Sequence, residues 1–160
     1  DGLVKASRNL DVGGRDVTKT LTDAFNIAPE RAEALKKSEK DLLNTPESSL
    51  LLPSLEMIAG EAKRMIDSYQ EKYPDKACQE VILSGGTAQL TGLIQYYSRI
   101  LGLSVRLGNP WDRISYAPEQ TSDIQKLGAS FSVALGLALV GIDEANHVNE
   151  RSSGRPFSLK

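Results

Sequence analysis

A mixed α/β fold, with a short sheet and helices packed on it, is the fold class the sequence predicts. Three stretches predict it. Val81-Ile82-Leu83 is a run of large apolar residues that ends at once in Ser84-Gly85-Gly86-Thr87. That is the pattern of a short strand buried on both faces and running into a bare turn. Between Ser49 and Tyr73 the apolar positions Leu51, Leu55, Ile58, Ala62, Ile66, Tyr69 and Tyr73 step by threes and fours, which is the stripe of a long amphipathic helix. Near the start, a loosely alternating Gly2 to Leu10 reaches Val12-Gly13-Gly14 and then switches to helical spacing at Val17, Leu21, Ala24 and Phe25. A strand therefore feeds a helix through a glycine pair.

The composition narrows the function classes. A chain of 160 residues can bury a sizeable core. With 40% hydrophobic and 25% charged residues it reads as a soluble globular chain. A net charge of −2, a pI near 5.5 and scattered Lys and Arg exclude a basic nucleic-acid footprint. The one cysteine, Cys78, cannot form an internal disulfide. The longest apolar stretch, Phe131 to Ile142, reads as too short and too rich in Gly and Ala to span a bilayer, so no direct membrane insertion is expected. The cytoplasm is the default compartment. The chain begins at Asp1 rather than Met, which suggests a processed or excised piece.

The remaining elements follow in order. Pro29 fits a first helical position, and Glu30 to Lys37 reads as a short helix with acids early and lysines late. In isolation that string reads first as a solvated surface helix with Glu33 paired to Lys36 or Lys37. Ser38 to Ser49 is polar, holds Pro46 and reads as a mobile loop. In the long helix Pro53 is placed in the first turn, and Pro74-Asp75 ends it. After the central strand, Leu93 to Leu101 reads as a helix with Leu93, Tyr96 or Tyr97, and Ile100 inward and Gly102 as C-cap. Ser104 to Leu107 is a second strand. Trp111, in Gly108-Asn109-Pro110-Trp111, is either a loop anchor or an exposed contact. A final helix over Asp123 to Val140 turns Leu127, Phe131, Leu135 and Leu139 to one face, and Asn146 to Lys160 reads as a disordered tail. His147, the only histidine, lies in that tail and is a poor catalytic or metal-binding candidate.

The Ser84–Thr87 turn is the functional candidate. It lies at the C-terminal end of a strand, where open α/β sheets bind ligands, and its glycines let a ligand approach the backbone. Thr87 and Thr91 are candidate caps for the helix that follows, whose first N–H groups suit an anionic group. The bland alternative is a plain strand-to-helix turn. Asp11-Val12-Gly13 spells a phosphate-hairpin motif, but a helix rather than a second strand follows it. Ser84 has no histidine to activate it, and the acidic residues lack ligand spacing.

The order of segments carries a resemblance. GGRDVT at 13–18, AEALKK at 32–37, VILSGGTAQLTGL at 81–93, GNPWDRI at 108–114 and LGASFSVALGLAL at 127–139 resemble the C-terminal half of the type IV pilus assembly PilM family, actin-like ATPase-fold proteins related to the cell-division protein FtsA. The resemblance implies a partial actin-like (ribonuclease H-like) lobe. Residues 1–14 would be a sheet-subdomain strand and hinge, 15–76 a helical subdomain, 77–142 the sheet subdomain, and 143–160 a tail. It also implies an ATP or ADP site. Ser84, Gly85, Gly86 and Thr87 would form its adenosine-side turn, and Glu33 and Lys36 would reach ribose and base from the other wall. A carboxylate can accept both ribose hydroxyls, and a lysine stem can cover a base face.

The phosphate hairpins and the Mg²⁺-holding residues of that fold have no counterpart here. Mg²⁺ is therefore expected only in a full-length parent, and hydrolysis by this chain alone is not expected. A sheet edge is expected to be open to a complementary chain. In the family the partner is the inner-membrane pilus assembly protein PilN, bound through the other lobe, which places the protein on the cytoplasmic face of the inner membrane. Two alternatives stand beside this: a non-nucleotide interaction module, and the corresponding lobe of an FtsA-like protein. The latter would end in a basic amphipathic membrane helix that 146–160 does not supply.

Overall fold

The computed structural model describes residues 3–46, 48–121, 124 and 127–152. It is a mixed α/β structure, mostly helical, and it divides after Gly108 into two compact units.

The first unit is built from four helices and two strands. Helix α1 (Gly14–Phe25) starts at Gly13, whose N–H donates to Asp16 Oδ2 at 2.7 Å. This is the reciprocal half of a capping box, and it accounts for the acid in the first turn. Asn26, at φ 48°, closes the helix in the left-handed region. Helix α2 (Pro29–Lys36) takes proline at its first position, where the missing N–H has no partner to lose. Helix α3 (Ser48–Lys72) lays Leu51, Leu55 and Ala59 into the core. Pro53 is its sixth residue, in the second turn rather than the first, so it withholds one helical N–H from the Ser49 carbonyl. Strands β1 (Glu80–Leu83) and β2 (Ser104–Leu107) pair in parallel, Glu80 opposite Ser104 and Leu83 opposite Leu107. Helix α4 (Leu93–Leu101) connects them.

Core packing explains most of this order. Val17, Leu21, Leu42, Leu51 and Leu55 are the largest fully buried side chains. Each fully buried branched side chain contributes about 1.5–3 kcal/mol. Tyr97 ties α4 to α3 by donating its hydroxyl to the Leu55 carbonyl at 3.1 Å. Gly102, at φ 67°, caps α4 as expected. On α4 it is Leu101, and not Ile100, that is buried.

Several expectations need correcting. Residues 3–10 form no strand, and Leu3 and Val4 are 71% and 85% exposed. A strand exists only through its ladder, and no described residue pairs with this segment. The central strand is covered on one face only, since Ile82 is 53% exposed. The 38–49 connection is not a plain loop: Leu42–Asn44 forms a 3₁₀ turn, with Asp41 Oδ1 accepting from Leu43 N at 3.0 Å and Asn44 N at 3.2 Å. That turn drives Leu42 and Leu43 into the core.

In the second unit, Asn109 Oδ1 accepts from Trp111 N at 3.2 Å and starts a short turn, Pro110–Arg113. Trp111 Nε1 donates to the Gly128 carbonyl at 3.4 Å, and its ring centroid is 6.1 Å from that of Phe131. The tryptophan is therefore a loop anchor. Helix α5 runs over Ser132–Ser152, well past the expected end at Val140. Residues 142–152 contain neither glycine nor proline and include the good helix formers Glu144, Ala145, Glu150 and Arg151. The expected tail is helical up to Ser152, and 153–160 lie outside the described residues, as do 123, 125 and 126 of the expected helix start. Residues 128–146 are long and apolar enough to cross a membrane by length and composition, with a mean hydropathy of 1.4. Counting from Phe131 to Ile142 alone underestimated that stretch.

Candidate functional site

The candidate residues meet around the start of α1. Lys36 ends α2, and its side chain is 3% exposed. Its ammonium donates to Glu33 Oε1 at 2.7 Å, to Thr18 Oγ1 at 2.9 Å and to the Gly14 carbonyl at 3.2 Å. A lysine has three donors, so every one has an acceptor inside the chain. Thr18 lies one turn after Gly14, and its hydroxyl is within reach of both the Gly14 carbonyl, at 2.8 Å, and Glu33 Oε1. Together the four residues clamp the α1 N-terminus to α2.

Glu33 is the outward-facing member, with its side chain 42% exposed. Burial raises the pKa of its carboxyl, but hydrogen bonds from Lys36 and Thr18 and the charges of Lys36 and Lys37 more than offset this, leaving it below the usual carboxylate value. Its Oε1 holds Lys36 and Thr18, while Oε2 has no hydrogen-bond partner among the described residues. Glu33 thus presents an ionised acceptor.

The turn after β1 approaches from the other side. Gly85 has φ 94°, a value that favours glycine, and a Cβ there would meet nothing within 4 Å. Gly13 is similarly bare. Gly14 is the opposite case. A Cβ on it would lie 2.5 Å from Thr87 Oγ1 and 3.6 Å from Lys36 Nζ, so glycine is required there by close approach. Thr87 and Lys36 therefore converge on one backbone position. Ser84, Thr87, Gly13, Gly14 and Val17 line a cavity of about 140 Å³, and Glu33, Thr18, Arg15 and Lys19 line another of about 260 Å³. Both are below the roughly 300–1,000 Å³ of a complete small-molecule pocket.

Two expected features differ. The turn leads into a 3₁₀ segment, Gly86–Gln89, instead of directly into α4, and neither threonine caps α4. Its N-cap is Gly92 at φ 87°. The Thr91 hydroxyl instead donates to the Ser38 carbonyl at 3.0 Å. Thr18 was not singled out from the sequence, although its place four residues after Gly14 is the signal that could have found it.

Residues 3–142 match the family model of the type IV pilus assembly protein PilM. The chain belongs to the PilM family. Among solved structures it is similar to a chain of the PilM-PilN type IV pilus biogenesis complex, with a TM-score of 0.67 and 27% sequence identity over 84% of this chain. This chain spans 38% of the length of that PilM-complex chain. No curated protein matches it. The mixed α/β architecture, similar to the PilM structure, is consistent with a partial actin-like lobe. The PilM match takes in every described residue of the first unit and ends within α5.

Proposed function

We propose that this chain acts in type IV pilus assembly as one wall of a nucleotide site in an actin-like scaffold, on the adenosine side. The observation that carries the reading is the convergence of Lys36 Nζ and Thr87 Oγ1 on Gly14. It brings the two stretches that the nucleotide reading needs to one backbone position, with Thr87 and Glu33 lining separate, neighbouring cavities. Glu33, ionised and with Oε2 uncommitted, would accept the ribose hydroxyls. The bare turn at Gly85 and Gly86 would admit the nucleoside against backbone. Lys36 would act by holding Glu33 and the α1 terminus in place, since its ammonium is already spent. ATP or ADP, with Mg²⁺, would bring its phosphate chemistry to a larger assembly. The solved complex of PilM with PilN supports PilN as the partner, and a cytoplasmic position at the inner membrane would follow from that association.

The test is calorimetric titration of ATP and of adenosine, with and without Mg²⁺, into the chain and into Gly13→Phe. Gly13 lies in extended backbone with open space at its Cβ position, so the bulky side chain fits without strain beside the cavity that Gly13 shares with Ser84 and Thr87, and would obstruct it. Binding of both ligands that ignores Mg²⁺ and is lost in the variant is the expected result. Binding of neither overturns the adenosine reading. The second reading, a module that only displays surfaces, is favoured by the small cavities and by the internal saturation of Lys36.

A further inference from the structure

A recess of about 590 Å³, larger than either cavity of the candidate site, lies elsewhere in the first unit: it runs between residues 5–8 and the second half of α3. In a chain of net charge −2, this recess is lined by four cations, Lys5, Arg8, Arg64 and Lys72, against one carboxylate, Glu61. Glu61 is shared by Arg64 at 2.6 Å and Arg8 at 3.4 Å. Lys72 lies over the Tyr73 ring at 5.6 Å, and neither it nor Lys5 pairs with a carboxylate among the described residues.

The wall has a repeat. Arg64, Ser68 and Lys72 form one row at intervals of four residues along α3, and Met65, Tyr69 and Tyr73 form the adjacent row, with the two tyrosine rings 5.0 Å apart. Four helical residues rise about 6 Å, and two residues of an extended chain advance about 6.6–6.8 Å. An extended peptide lying along the helix can therefore send alternate side chains to the cationic row and the aromatic row over two turns. A single phosphate cannot span that length. Opposite the helix, residues 5–8 have no regular secondary structure, and their backbone groups make no hydrogen bond to another described residue, which leaves them available to an added strand.

We infer that this groove is a docking site for an extended peptide of a second protein, in which acidic and apolar residues alternate. The inference does not rest on the nucleotide reading, because it uses no residue of the Glu33–Thr87 site. The probe is a fluorescein-labelled peptide alternating aspartate and leucine, followed by anisotropy with the full 160-residue chain. Binding should weaken with added salt and fall by about tenfold or more in the double variant Arg64→Glu/Lys72→Glu, as expected for the loss of charge-assisted contacts. Arg64 and Lys72 are exposed, so the fold should tolerate both changes, with circular dichroism as the check. Lys5→Glu, outside any helix, gives an independent variant that should also weaken binding. Absence of binding, or equal binding by the charge-reversed variants or of an alternating lysine and leucine peptide, overturns the proposal. Equal or tighter binding of oligothymidylate or of phosphatidylglycerol vesicles overturns it too, in favour of a general polyanion surface.

Discussion

Lys36 and Glu33 form an ion pair in which the two members are unequally buried, and that asymmetry predicts which substitution is worse. Lys36 is 3% exposed and Glu33 42%. Glu33→Gln leaves a buried ammonium without its counter-charge, whereas Lys36→Met leaves a carboxylate that can turn to water and puts a flexible apolar chain in a buried place. Glu33→Gln should therefore cost about 2–4 kcal/mol at neutral pH and Lys36→Met about 1 kcal/mol, measured by urea unfolding. Equal costs, or the reverse order, would show that Lys36 is not held by Glu33. The pH dependence has a definite sign. The folded-state pKa of Glu33 lies below its ordinary value of 4.5, so its contribution is complete above that value and is lost as pH falls through the lower folded pKa. The wild-type chain should lose stability more steeply than Glu33→Gln under acid. At Gly14, replacement by valine would put a Cβ 2.5 Å from Thr87 Oγ1, so Thr87 must be displaced. A loss of about 1–3 kcal/mol is expected, visible as a lower midpoint in the same urea assay.

At the scale of elements, the Tyr97 hydroxyl is the clearest test. Burial and the neighbouring Tyr96 push its pKa up to about 12, and its hydrogen bond joins α4 to the Leu55 carbonyl of α3. Tyr97→Phe should cost about 0.5–1.5 kcal/mol and remove one late-titrating phenol from an ultraviolet pH titration. The folded-state pKa is raised here, so the corresponding stability is present below the ordinary tyrosine value of 10.0 and lost as pH rises towards 12. Elements with strong periodicity were legible in the sequence. The stripe from Leu51 to Tyr73 predicted α3 almost to the residue, and Gly102 marked the end of α4. Residues 3–10 were not legible in the same way, because an alternating pattern promises a strand but cannot supply the neighbour that makes one. Leu42 and Leu43 were hidden for a different reason. Polar flanks suggested a loop, while the Asp41 side chain, by holding two backbone N–H groups, turned both leucines inward. In the candidate site, the glycines at 13, 14 and 85 were readable, but the saturation of the Lys36 ammonium was not. It depends on the Gly14 carbonyl, 22 residues away, and backbone acceptors leave no trace in a residue pattern.

For the molecule as a whole, uncovered apolar surface is the dominant feature. Ile82 on β1 and Val133, Leu137 and Val140 on α5 are all more than half exposed, and a two-stranded sheet has little independent stability. Apolar patches of this kind favour self-association. Leu137→Ser should leave the unfolding midpoint within about 0.5 kcal/mol of wild type, as expected for an exposed site, while reducing association measured by sedimentation. Unchanged association would place the sticky surface elsewhere, with Ile82→Thr as the next variant.

The packing of Trp111 against Phe131 and Gly128 has an optical consequence. It is the chain's only indole, and it belongs to the second unit, whereas four of the five tyrosines, at 69, 73, 96 and 97, belong to the first. Emission excited at the red edge of the indole band therefore reports the packing of residues 109–152, and phenol absorbance reports mainly that of 3–108. One sample heated once, and read in both channels, would show whether the two halves melt as one cooperative body or in sequence.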